Sequence, residues 1–456
     1  MPSICLRHRG YLVLLVLLAS CTQVDLRPPY EEAQQEIRTV TGAKTVHDPD
    51  APVLTNSEIN AFLADGLALN EALQLALLNN RRLHAEFLAL GVARAEFVQA
   101  GLLANPSLGL AFLLPSAGGR GRWTADVVGS LADLWQIPSR QAIAQAGAEQ
   151  RLLELSRFAG ELVAATKTAY FESVAARAQQ TLSRANLEYS EQALLGIRRQ
   201  VAEGVSPKTD ELLGENAVLS LKLAHQRTER EVVIAARELA ALMSLHEDLL
   251  SVPLTDALGH GALPEEGREA FVDKSLMARP DLRAAARAVA AAEERVLLEH
   301  QRTFPELSTG LSAERPEAGS SSSFFFGPAL TVELPIFDQN QAQLARARFE
   351  HARQVKEYEA LVAEARQDLR AAFDKAALAS RTASLVKTQV LPQAERNVAL
   401  AEKIYAFGES TVLPLLQTRQ QCNEARQTVI SAALEATLAQ IALEKAAGAP
   451  LSTTEH

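Results

Sequence analysis

The sequence predicts a mainly α protein with a small β part, built from internally duplicated long antiparallel helices and two β-hairpins. Three observations predict it. Two stretches alternate apolar with small or polar side chains at period two, the signature of strands. In the stretch from Phe304 to Asn340, Leu307, Thr309, Leu311 and Ala313 point one way, while Ser308, Gly310, Ser312 and Glu314 point the other. Past a Ser/Gly-rich loop, Phe324, Phe326, Leu330, Val332 and Leu334 share a face opposite Phe325, Thr331 and Glu333. In the other stretch, Leu108, Leu110, Phe112 and Leu114 share one face; after Pro115–Arg122, Trp123, Ala125, Val127 and Leu131 oppose Thr124, Asp126, Val128 and Ser130.

The second observation is that the chain matches itself. Pro106 stands 199 residues before Pro305, and at the same offset Leu83, Phe87, Leu90 and Phe97 fall on Leu282, Ala286, Val289 and Val296. Gly204 and Gly408 follow at an offset of 204. Agreement at helix, hairpin and distal glycine marks a tandem duplication. The third observation is the length of the Ala-rich runs with apolar residues at spacings of three and four.

In chain order, residues 1–20 read as a signal peptide, with Arg7 and Arg9 before the short apolar run Tyr11–Leu18. Leu18-Ala19-Ser20-Cys21 resembles a lipobox, in which Cys21 is lipidated and becomes the new N-terminus; the alternative is an ordinary cleavage site with an incidental cysteine. Thr22 in place of Asp resembles outer-membrane sorting. Of three cysteines, Cys5 leaves with the leader and Cys21 is acylated, so Cys422 has no disulfide partner. Losing Arg7 and Arg9 moves the formal charge two units below −10, which with few aromatics argues against a nucleic-acid surface. Residues 21–60, with Pro28-Pro29, Pro49 and Pro52, read as an extended lipidated tether with a short helix near Glu58–Ala64.

Repeat 1 covers 61–245. It opens with a helix from Leu69 to Ala104, about 50 Å long, stopped by Asn105-Pro106. The hairpin over 106–134 follows, then a helix from about Ser139 to Ala202, roughly 95 Å long. Gly204-Val205-Ser206-Pro207 ends it, and a helix returns to Leu245. Residues 246–269, rich in Pro and Gly, are the linker. Repeat 2, 270–447, restates the plan: a helix to about Arg302, a hairpin over 305–335, a helix from Asn340 to Ala406, the Gly408 turn, and a helix to Ala447. Pro392 should bend the long helix. Residues 448–456 are a polar tail.

A period-two stretch of about ten residues is long enough to cross a bilayer at a tilt. Four strands cannot close a barrel around a pore, and open edges in hydrocarbon would leave amides unpaired. Three chains would supply twelve strands. The narrow, Ala-rich apolar stripes suit antiparallel coiled-coil packing.

Several stretches together resemble the TolC-like outer-membrane efflux channels over roughly Glu58–Ala447. They are Leu69-Asn70-Glu71-Ala72-Leu73 with Ala76-Leu77 and Asn79-Asn80; Gln99-Ala100-Gly101-Leu102-Leu103-Ala104-Asn105-Pro106; Leu334-Pro335-Ile336-Phe337-Asp338, the most specific; Val390-Leu391-Pro392-Gln393-Ala394; and Tyr405-Ala406-Phe407-Gly408. The resemblance implies a homotrimer with a twelve-stranded transmembrane β-barrel in the outer membrane, continuous with a periplasmic α-barrel. It implies a periplasmic adaptor (membrane fusion) protein meeting the tips at Gly204, Val205, Ser206, Gly408, Glu409 and Ser410. It also implies an inner-membrane pump, of the resistance-nodulation-division type. Asp126, Glu314 and Glu333 are expected to face the barrel lumen.

At the periplasmic tip the family's resting gate is held by polar links. Asp210 and Tyr405 stand at two of the linking positions and are expected to form a hydrogen bond; the alternative is that both merely cap and pack the turn. The expected Arg is Ser410, and two inner Asp positions are Pro414 and Gln417, so the acidic ring is missing. Pro414, lacking an N–H, should loosen the first turn of the returning helix.

No catalytic constellation is legible, and no enzyme, metal or cofactor is expected beyond the lipid on Cys21. Of nine histidines, His84, His225, His246, His260, His300 and His351 form no HxxxH pair, and three methionines make no copper ladder. Three functions stay open: the exit duct of a tripartite pump for small molecules or metal ions, the outer-membrane channel of type I protein secretion, and a non-conducting lipid-anchored coiled-coil scaffold. The hairpins speak against the last.

Overall fold

A computed structural model describes residues 24–451, apart from 53, 115, 117–120, 247–248, 260–262, 265–266, 316–324 and 408. The leader, Cys21, Phe324 and Gly408 therefore lie outside the described residues. The chain is mostly helical with one four-stranded antiparallel sheet. It divides into two units, one made of the segment ending at Glu32 with Ala89–Glu149 and Ala288–Ala352, the other of the remainder.

The first departure from expectation is helix α1, Arg27–Thr41, in the stretch read as an extended tether. Tyr30, Ala33, Ile37 and Val40 are buried, at spacings of three and four. Pro28-Pro29, read as a breaker, sits in the first turn, where a missing N–H costs no helix hydrogen bond. Helix α2, Asn56–Leu63, falls where the short helix was expected, capped reciprocally by Thr55 and Glu58.

Each expected first helix is two helices. Helices α3 (Leu69–Asn79) and α4 (Arg81–Ala100) break at Asn80, whose Oδ1 accepts from the N–H groups of Arg82 and Leu83 at 3.0 Å. The Asn80 Nδ2 donates to Leu242 O at 2.7 Å, and Asn79 Nδ2 donates to Met243 O at 2.8 Å. Both side chains thus satisfy carbonyls at the end of a later helix.

In the sheet-bearing unit, strands β1 (Ser107–Leu113), β2 (Arg122–Ser130), β3 (Leu307–Arg315) and β4 (Phe325–Val332) pair in chain order. The two hairpins join through β2 and β3, with Val127 opposite Leu311 and Asp126 opposite Ser312. Helix α5, Asp133–Ala202, starts six residues earlier than expected, because Pro138 is tolerated inside it. Buried Asp133 secures that turn, accepting from Ala104 N at 2.6 Å and from Arg140 Nη2 at 2.9 Å. The second hairpin closes through Asn340, in the left-handed region at φ 59°, which Asn tolerates. Its Nδ2 donates to Glu299 O at 2.8 Å.

The other unit holds the long antiparallel helices. Helix α6 (Lys208–Leu242) returns along α5; α7 (Arg268–Ala278) and α8 (Pro280–Gln301) repeat the broken first helix. Then come α9 (Gln341–Leu385), α10 (Leu391–Ala406) and α11 (Val412–Ala447). The bend expected from Pro392 is taken up by a π-helical turn at Val386–Val390, where Leu391 N–H reaches back to Val386 O. That wider turn accommodates a proline bringing no N–H for the carbonyl four residues earlier. Leu369, Ala376, Ala379, Ala383, Ala432, Ala436, Ala439 and Leu443 form one buried seam with Phe271 and Val272. The small alanines let the helices approach closely.

The inter-repeat linker is fastened rather than free. Leu67 and Leu254 form a parallel bridge, and Asp256 Oδ2 accepts from Leu69 N at 2.8 Å. Buried Tyr170 places its hydroxyl 2.8 Å from Leu67 O and 2.9 Å from Asp256 Oδ2. Arg177 donates to Val252 O and Leu249 O at 2.6 and 2.8 Å. The two Arg177 bonds satisfy linker carbonyls that would otherwise be left without a partner.

Candidate functional site

The sheet has two chemically distinct faces, in the phase the alternation predicts. Leu108, Val127, Leu311 and Pro328 stand in one cross-strand row, and Leu110, Ala125, Ala313 and Phe326 in the next. Residues opposite one another share a face. Leu110, Phe326 and Leu330 are 74%, 73% and 65% exposed, so within the chain this apolar face has nothing packed on it. The opposite face carries the row Gly109, Asp126, Ser312 and Gly327, flanked by Thr124 and Glu314. Gly109 leaves room for the Asp126 carboxylate, which would have to move aside for a Cβ there. Glu314 is paired with Arg122, Nη2 to Oε1 at 2.8 Å, a partner the sequence reading did not name. Glu333 lies just past β4 and extends the ladder, its N–H donating to Glu306 O at 2.9 Å. Strands β1 and β4 each have a single neighbour, so their outer edges present unpaired backbone groups within the chain.

The first tip turn follows α5. Gly204 takes the left-handed conformation, φ 75°, and the N–H groups of Val205 and Ser206 return to Gln200 O at 2.8 and 3.2 Å, closing the helix end. In the second tip turn Glu409 N donates to Ile404 O at 3.1 Å, and Ser410 Oγ donates to Thr411 O at 3.2 Å. Val205 and Phe407 are largely exposed at the tips.

The expected Asp210–Tyr405 hydrogen bond is not the one the chain makes. Tyr405 donates instead to Gln200 Oε1 at 2.8 Å. Asp210 sits in the first turn of α6, its N–H donating to Pro207 O at 3.0 Å, where a carboxylate favours the positive helix end. Pro414 is the third residue of α11, a position whose N–H has no intrahelical acceptor, so it does not loosen that turn. Gln417 is exposed one turn farther on.

A second contact between the two helical hairpins was missed. The Arg419 guanidinium lies 3.7 Å from the centroid of the Tyr189 ring and pairs with Glu402 across its own hairpin. Arg198 and Glu215 pair at 2.7 Å across the other hairpin. Arg198 and Glu402, like Glu215 and Arg419, are 204 residues apart. The same bridge recurs with its charges exchanged, and the self-comparison that matched Gly204 with Gly408 could have found it.

The structure also brings together histidines the sequence left scattered. The rings of His47 and His84 stack with centroids 3.6 Å apart. Among the described residues no group of three or more His, Cys, Asp or Glu stands close enough to hold a metal ion, and no helix is long and apolar enough to cross a membrane. Cys422 is buried in α11.

Residues 271–449 match the family model for outer membrane efflux proteins. That match covers the second part of the chain and likens it to the outer membrane efflux proteins. It is 25% identical over 412 residues to the pyoverdine export outer membrane protein OpmQ of Pseudomonas aeruginosa, covering 83% of this chain and 85% of that protein. It is also 25% identical over 371 residues to the cobalt-zinc-cadmium resistance protein CzcC of Cupriavidus metallidurans, covering 80% and 85%. Its fold is that of CusC, with a TM-score of 0.72 at 19% identity over 84% of this chain and 92% of that one. Proteins of this efflux family are outer-membrane channels rather than enzymes.

Proposed function

We propose that this chain is a TolC-like outer-membrane efflux channel and the exit duct of a tripartite efflux pump, passing small molecules or metal ions to the exterior. The observation carrying the reading is the sheet: one apolar face left bare, one polar face, and two outer edges without partners. In hydrocarbon such edges must pair, and three copies joined β1 to β4 give a twelve-stranded barrel with Asp126, Glu314 and Glu333 toward the lumen. The long helices then continue as a periplasmic α-barrel. Its tips, at Gly204–Ser206 and Gly408–Ser410, meet a periplasmic adaptor coupled to an inner-membrane pump of the resistance-nodulation-division type. Likeness to a pyoverdine export protein and a cobalt-zinc-cadmium resistance protein favours small cargo over secreted protein.

Tandem duplication accounts for the architecture. Helices α3 and α7, each of 11 residues, start 199 residues apart, and their breaks at Asn80 and Arg279 keep that offset. Arg279 Nη1 donates to Ala446 O at 2.9 Å, as Asn80 does to Leu242 O, and the two acceptors are 204 residues apart.

The deciding experiment is reconstitution of the purified protein in planar bilayers alongside chemical cross-linking. A cross-linked species of three chains that conducts is expected. A monomer, or a trimer silent under every condition, would leave the scaffold reading standing. Lipidation is tested separately: Cys21→Ala is expected to leave an unprocessed precursor and abolish labelling by a fatty-acid analogue. The barrel should still insert, since acyl chains add only about 0.8 kcal/mol per buried methylene to a large apolar belt. Labelling unchanged in the mutant would remove the lipid and leave the channel.

A further inference from the structure

From Ala33 onward, helix α1 and the loop after it lie across other helices of their own unit, fastened at three places. Val40 packs where a Cβ on Gly160 of α5 would meet its Cγ1 at 3.1 Å. Glu36 forms an ion pair with Arg283 of α8. The loop's own fastener is His47. Its ring is stacked 3.6 Å from His84 of α4, nearly parallel at 15°, and meets the edge of Phe87 at 5.5 Å. Gln34 of α1 donates to His47 O at 3.0 Å, tying the loop back onto the helix. The titratable groups acting on His47 are His84 from α4 and Asp48 from its own loop.

We propose that residues 33–48 form an acid-released latch, held while the His47 ring stacked on His84 is uncharged and freed when it takes up a proton. The stack is a poor home for charge. His84 Nε2 lies 2.9 Å from Leu78 O, a contact that holds its ring in place against His47. A charge on either ring sets it against the other at van der Waals distance, beside an apolar Phe87 face edge. Burial, and then the neighbouring His84, push the His47 pKa down from 6.5 to about 4, against a weaker upward pull from Asp48. The sign follows. The opened loop titrates at the ordinary value and binds the proton first, so the closed form holds fully above about pH 6.5 and weakens progressively as pH falls toward 4. This inference does not depend on the channel reading, since the latch would act equally on a scaffold.

The test is hydrogen exchange on the full assembled protein, with labelling times corrected for intrinsic rates, from about pH 7 down to about pH 4.5. Amides of 33–41 are expected to lose protection about ten-fold or more, while those of α11 keep theirs. His47→Phe preserves a stacked ring that cannot titrate, so its protection should be independent of pH. His84→Gln keeps a donor for Leu78 O and removes the imidazole that opposes charge on His47, and should shrink the loss. Unchanged wild-type protection over this range overturns the latch. So does a loss undiminished in both variants, which would assign the release to the Glu36–Arg283 pair instead.

Discussion

Leu110→Arg and Val332→Arg should each abolish stable membrane insertion, while Ser130→Arg and Thr331→Arg should insert like the parent. Leu110 stands in the apolar row with Ala125, Ala313 and Phe326, and Val332 is paired with Leu307 on the same side. A cation on the lipid face near mid-bilayer costs about 2–4 kcal/mol, and three copies in an assembled barrel multiply that cost. Ser130 and Thr331 both flank Ser308 in the opposite phase, where an added Arg would meet water. The readout is the fraction of chain resisting urea extraction from outer membranes, with the trimer band as a second measure. A one-residue error of phase would exchange the two outcomes. Equal tolerance at all four positions would remove the barrel.

The alternation was legible because side chains of a strand divide between faces with period two, and both hairpins keep it through every described strand. What no local pattern carried was the joining of the hairpins: β2 meets β3 through residues such as Asp126 and Ser312, far apart in sequence. Helix existence was legible and helix interruption was not. Asn80 and Arg279 break helices because their side chains are needed by the carbonyls of Leu242 and Ala446, a demand set by tertiary packing. Prolines were given too much weight at Pro28-Pro29, in a stretch read as an extended tether, and at Pro414, expected to loosen its turn. Helix starts tolerate them in the first turn, and buried Asp133 holds the turn ahead of Pro138. His47 and His84 share no helix spacing, so no motif search would have paired them.

The remaining large effect concerns closure of the tip. On the proposed reading the α5–α6 and α10–α11 hairpins must part for the tunnel to open, and two contacts within the chain oppose that. Tyr405 donates to Gln200, a hydrogen bond worth about 1 kcal/mol. Arg419 lies over the Tyr189 ring, worth roughly 0.5–1 kcal/mol at a partly exposed site. Glu402 steers the Arg419 guanidinium but belongs to the same hairpin, so it orients that contact without bridging. Losing both contacts should shift the closed–open equilibrium about ten- to thirty-fold, since 1.4 kcal/mol is a factor of ten. Tyr405→Phe and Arg419→Ala are each expected to raise conductance in planar bilayers, and the double variant more than either, with trimer stability unchanged. Asp210→Asn should conduct like the parent, because Asp210 lies in the first turn of α6 and Tyr405 bonds elsewhere. Cation selectivity at the constriction should be weak in all of them, since Pro414 and Gln417 bring no charge to focus ions there. If Asp210→Asn opens the channel and Tyr405→Phe does not, closure depends on contacts between chains. The pair seen within one chain would then be packing alone.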